Sequence, residues 1–136
     1  MRPLALVACI GLAFAAHAQD VVPWKTFAQV EITRSSTGIV PRFPDAIAGL
    51  DRKQVKVQGF MLPLDVGEKH AFFILSAVPP TCAFCMPGGP DAVVEVRAKR
   101  PLAYTDNAVS VTGTLSVLKD DPTGIFYRLT DAVPAK

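Results

Sequence analysis

Two cysteines stand three apart in Cys82-Ala83-Phe84-Cys85, fenced by Pro79-Pro80 before them and Pro87-Gly88-Gly89-Pro90 after them. A close thiol pair on a proline-stiffened loop can form a disulfide, cycle between thiol and disulfide, or hold a soft metal ion. The nearby residue types extend the third use. Met86 follows the second cysteine, and Met61 and His70 lie in the segment just before the loop. Thiolates and thioethers favour Cu(I), while thiolate with imidazole also suits Zn(II).

The ligand supply is limited. The chain has three cysteines and two histidines. Cys9 and His17 fall in an N-terminal stretch with the pattern of an export signal. Arg2 gives a basic start, Leu4 to Ala16 is apolar, and Ala16-His17-Ala18 is an A-x-A cleavage site. Cleavage before Gln19 would leave Cys82, Cys85 and His70 as the only residues of their types. A zinc site of four cysteines, or of two cysteines with a histidine pair, cannot be assembled from that set. Zinc would therefore have to recruit Asp91, water or a second molecule. A c-type haem attachment is also excluded, because Met86 stands where the motif needs histidine.

The other two uses stay open. A permanent Cys82–Cys85 bridge closes a very short loop and removes little entropy from the unfolded chain, although oxidising compartments hold many such bridges. A redox pair needs a thiol activated at a helix N-terminus or beside a cation. Here Pro87 and two glycines follow the pair, and the βαβ setting of a thioredoxin-like motif is absent.

The segment 1–18 is read as a cleaved signal and 19–136 as one domain, placed in the periplasm or secreted. Lipidation at Cys9, after Leu6-Val7-Ala8, is the second reading, but that cysteine sits inside the apolar run rather than at its end. The run is shorter than the roughly twenty residues of a membrane span, so no stable membrane insertion is expected. A formal net charge of +2 gives no overall basic footprint for nucleic acid and no polybasic signal for anionic lipid. No nucleophile elbow, catalytic triad or phosphate-binding glycine loop is present, which argues against an enzyme.

The elements that must position the cysteine loop are strands. Ala28-Val30-Ile32 alternates with polar residues as a short strand, and Ser35 to Asp45 reads as turns and irregular chain, with a helical turn at Ala46 to Leu50. Val55 to Leu64 and His70 to Ser76 form a hairpin about the turn Asp65 to Lys69. The cysteine loop at 79–90 follows, then strands at Val93 to Arg97, Val109 to Val117 and Ile125 to Leu129, and a frayed tail from Val133. Val55-Lys56-Val57-Gln58-Gly59 and Val109-Ser110-Val111-Thr112-Gly113 share one shape: an alternating strand that meets a glycine, where it can bend. That pattern predicts an all-β fold, a small OB-like Greek-key barrel of five to six strands, with a β-sandwich as the alternative. Trp24 is read as a plug packed over the barrel.

With those residues in hand, the chain resembles a family of small exported bacterial proteins classed as a domain of unknown function. The likeness runs from about Trp24 to Leu129. It is carried by Gly59-Phe60-Met61-Leu62-Pro63-Leu64 and by the Cys82-Ala83-Phe84-Cys85 loop with Pro87 and Gly89-Pro90. The resemblance implies a setting beside ABC-transporter components and zinc-regulated periplasmic proteins, and therefore a partner such as a transporter permease or a periplasmic metal-binding protein. The expected function is a non-catalytic metal-binding or accessory module with Cys82 and Cys85 as donors and Met86, Met61 and His70 in support. A thiol–disulfide protein, or an interaction module with a permanent bridge, are the alternatives.

Overall fold

The computed structural model describes residues 19–80 and 88–136. The segment 1–18, read from sequence as a signal, and Cys82, Cys85 and Met86 lie outside the described residues. Five strands close into a barrel: β3 (Gln54–Pro63), β4 (Lys69–Ser76), β5 (Val93–Ala103), β6 (Val109–Val117) and β7 (Tyr127–Pro134). Their order is β3-β4-β5-β7-β6 and back to β3, antiparallel throughout except for the parallel pair β5–β7. The fold is therefore all-β, an OB-like closed barrel. A two-stranded hairpin, β1 (Glu31–Ser35) with β2 (Gly38–Arg42), precedes it.

Closure depends on the two glycines that interrupt the alternation. Residues 54–59 of β3 pair with β6, and residues 60–63 pair with β4, so β3 changes partner at Gly59. A Cβ at Gly59 would lie 2.5 Å from the Ser76 carbonyl oxygen, and one at Gly113 would lie 2.7 Å from that of Thr130. Only glycine allows the bent strands to approach so closely. The alternating residues Val55, Val57, Val111 and Leu115 turn inward and meet Phe73, Leu75, Val96 and Leu129 in the core, as the period-2 pattern requires.

The chain N-terminal to β3 closes one end of the barrel. Pro23 precedes α1 (Trp24–Phe27), a short helix to which the sequence reading assigned no element, its first strand being placed at Ala28 to Ile32. The strand itself begins later, at Glu31. Pro23 stands in extended conformation as the residue before the helix, and burial of Phe27 holds the turn in place. The Tyr127 hydroxyl donates to the Phe27 carbonyl at 2.7 Å, and the Trp24 indole donates to the Gln58 carbonyl at 2.7 Å. Trp24 thus packs over the barrel as expected, with its ring 5.6 Å from Phe27. A second short helix, α2 (Asp45–Ala48), inserts Ile47 into the same core.

Three further expectations are corrected. Gly38 to Arg42, read as irregular, forms β2 opposite β1. The third core strand runs on to Ala103, well beyond Arg97, through a bulge opposite His70 and Phe72. The C-terminus is not frayed: β7 extends to Pro134, the Ala135 amide donates to the Ser110 carbonyl, and Lys56 Nζ donates to the Lys136 carbonyl at 2.6 Å.

Candidate functional site

The cysteine loop connects two adjacent barrel strands, and its base is tied shut. The Ala77 amide donates to the Ala92 carbonyl at 3.0 Å. The Ser76 hydroxyl donates to the Val78 carbonyl at 2.7 Å and accepts the Val78 amide at 3.2 Å. On the far side Pro90–Ala92 forms one 3-10 turn. Gly88 has φ of 83°, a left-handed conformation that favours glycine.

A cleft of about 130 Å³ lies against the first stem of this loop, lined by Pro79, Pro80, Phe60, Met61, Tyr104 and Asp106 among others. Met61 is 2 % exposed and packs with the barrel core while also lining this cleft. Its placement follows from β3, which turns Val55, Val57, Gly59 and Met61 to one side. The Tyr104 hydroxyl donates to Asp106 Oδ1 at 2.7 Å. That bond to a carboxylate, followed by partial burial, holds the phenol above its ordinary value.

His70 is buried, at 1 % exposure, although a histidine opening a strand is usually an edge residue. Its Nδ1 lies 2.6 Å from Asp65 Oδ1, and its ring meets Tyr104 edge-on with centroids 6.5 Å apart. The turn between β3 and β4 brings Asp65 back over His70. A carboxylate on Nδ1 fixes the ring and directs Nε2 away from it, the arrangement common around metal-binding histidines.

Of the five residues singled out from sequence, Met61 and His70 are within the described residues. They are not neighbours in the ladder. Met61 pairs with Leu75, five residues along β4 from His70, roughly 16 Å of strand path. Tyr104 links them, lining the cleft with Met61 and touching the His70 ring. Among the described residues no group of three or more His, Cys, Asp or Glu side chains is arranged to hold a metal.

Sequence reading missed Tyr104, Asp106 and Asp65. Asp65 had a detectable signal, since a tight turn between two strands brings residues five apart together. Tyr104 had none, because its partners come from other strands. A second polar centre was also missed. Glu95, in the apolar run Val93 to Val96, is buried on the outer side of the barrel. It accepts from Arg128 Nε at 2.5 Å and from Arg97 Nε at 3.0 Å, and Arg128 also reaches Asp121 at 3.1 Å. The bond to Glu95 raises the Arg128 guanidinium above its ordinary value. This network satisfies its own charges and offers no free donor set.

A family model for proteins of unknown function matches residues 27–129, most of the chain. The protein belongs to the DUF3299 family. A crystal structure of a DUF3299 family protein from Pseudomonas aeruginosa PAO1 is similar in fold to this chain, with a TM-score of 0.53 at 20 % identity, covering 71 % of this chain and 68 % of that one. No curated protein matches. For this DUF3299 chain the comparisons therefore support the barrel, and function is argued from its own residues.

Proposed function

We propose that this DUF3299 protein is an exported, non-catalytic module that binds a soft metal ion, Cu(I) or Zn(II), through Cys82 and Cys85. The carrying observation is the cleft beside the loop stem, which Pro79, Pro80 and Met61 line together. A buried thioether beside the entry to a dithiol loop adds a soft donor, and together with Met86 it favours Cu(I) over Zn(II). His70, held by Asp65, is the nitrogen donor that a zinc site would recruit. Export is supported by the Leu4 to Ala16 run and the Ala16-His17-Ala18 pattern. The family resemblance supports a partner in envelope metal transport, a transporter permease or a periplasmic metal-binding protein.

Titration of the reduced chain with Cu(I) against a chromophoric chelator, and separately with Zn(II), tests the reading. One metal per chain is expected. Cys82→Ser should weaken binding by more than the roughly 10–100-fold typical of losing an outer-shell partner. Unchanged affinity in Cys82→Ser would remove the loop from any metal role. A reduction potential of the pair below about −300 mV would instead mark a structural bridge.

A further inference from the structure

The formal charge is nearly balanced, but the fold does not distribute it evenly. The bulge between β4 and β5 sets two pairs of the ladder, Phe72 with Arg97 and His70 with Leu102, on either side of Ala71. Four residues of β5, Ala98 to Pro101, therefore face a single residue of β4, and the surplus carries Lys99 and Arg100 into solvent. Lys69 lies one residue beyond, also exposed. Lys69, Lys99 and Arg100 have no ion-pair partner among the described residues. Arg97, paired with Glu95 at 3.0 Å, lies over the Phe72 ring at 5.7 Å.

The same hairpin ends in exposed apolar side chains. Leu64 is 51 % exposed, Val66 at the turn is 99 % exposed, and Phe72 is 42 % exposed. Leu64 and Val66 lie in the turn that Lys69 closes, Phe72 lies farther along β4, and exposed apolar side chains beside cations suit a contact surface. Two acids share the turn: Asp65, which is engaged by His70, and Glu68. Among the described residues, Lys69, Lys99 and Arg100 thus stand unpaired beside these two acids, with Arg97 already engaged by Glu95.

We infer that the β3–β4 turn and the adjoining β5 bulge form a peripheral docking surface for an anionic phospholipid bilayer. Val66 and Leu64 would enter the interface while Lys69, Lys99 and Arg100 meet lipid phosphates. Each basic residue near an anionic surface strengthens binding severalfold, and salt screens the attraction within about 10 Å at 0.1 M. None of the proposed metal ligands takes part, so this surface stands or falls independently of the metal reading.

The test is sedimentation of Gln19–Lys136, which contains every described element and omits the apolar segment that would itself bind lipid. The probes are phosphatidylcholine vesicles with and without phosphatidylglycerol. Binding is expected only with the anionic lipid and should fall steeply with salt. Lys99→Gln combined with Arg100→Gln should weaken it about 30-fold, and Val66→Asp about tenfold. Both sites are exposed, and an unchanged thermal transition would show that each variant is folded. No binding to anionic vesicles, or equal binding to neutral ones, would overturn the inference. So would a loss confined to the lysine–arginine pair with Val66→Asp unaffected, because that result describes a general polyanion site rather than a bilayer.

Discussion

The inner and outer sides of the barrel wall are stabilised by different means. Inside, Phe73, Leu75, Val96, Leu115 and Leu129 form an apolar core whose closure relies on backbone contact at Gly59 and Gly113. Outside, the same strands carry the Glu95–Arg128–Asp121 network beside a small apolar cluster of Ile74, Val93 and Ile125. Shape therefore governs the inside, where there is no slack. Charge pairing governs the outside, where a neutral side chain of the same shape keeps part of the hydrogen bonding. The chemistry follows the same division: the cleft draws Met61 from the inner set, whereas the basic bulge belongs entirely to the outer surface.

The largest effect should come from the inside. Gly59→Ala places a methyl group 2.5 Å from a backbone oxygen of β4, and a backbone atom cannot rotate away. A loss of about 3 kcal/mol is expected in denaturant unfolding. A loss below about 1 kcal/mol would mean the strands separate freely there, which a tightly closed interior forbids. On the outside, Glu95→Gln keeps the shape and one acceptor but removes the charge facing two arginines. About 1.5 kcal/mol should be lost, measured in the same way. A cost exceeding that of Gly59→Ala would reverse the ranking.

The smallest effect is acid sensitivity. The hydroxyl and amide of Thr123, and then Arg128, hold Asp121 below its ordinary value of 3.8. A carboxylate with a depressed folded-state pKa contributes fully above its unfolded value, and the contribution disappears as pH falls through the folded one. Thr123→Ala should therefore lower stability slightly near neutrality, and the difference from wild type should shrink below about pH 4. A difference that persists unchanged at about pH 2 would assign the effect to something other than Asp121.

The inner side was the legible one. Alternation in Val55 to Gly59 and in Val109 to Gly113 is a local signal, and it named the core-facing residues and both closure glycines. The outer side depends on partners far apart in the chain. Glu95 meets Arg128 across the parallel β5–β7 pair, and nothing within Val93 to Val96 announces that. The bulge that exposes Lys99 and Arg100 arises from unequal strand lengths between two pairing points, so a balanced total charge concealed a local cluster. The N-terminal helix was missed because four residues carry no period, and the continuation of the last strand from Leu129 to Pro134 because its pairing with β6 is long-range. For the candidate site, Met61 and His70 were nameable by type. Their surroundings, Tyr104 and Asp106, required the fold.

The central claim is that a metal held by the cysteine loop takes its further soft donor from the barrel at Met61. X-ray absorption at the copper edge of the Cu(I)-loaded chain addresses it directly, comparing wild type with Met61→Leu, a swap of similar volume that a core tolerates. The account predicts sulfur-only coordination in the wild type and one fewer sulfur neighbour in the variant. Identical spectra for the two proteins, or coordination by nitrogen and oxygen alone, would contradict it.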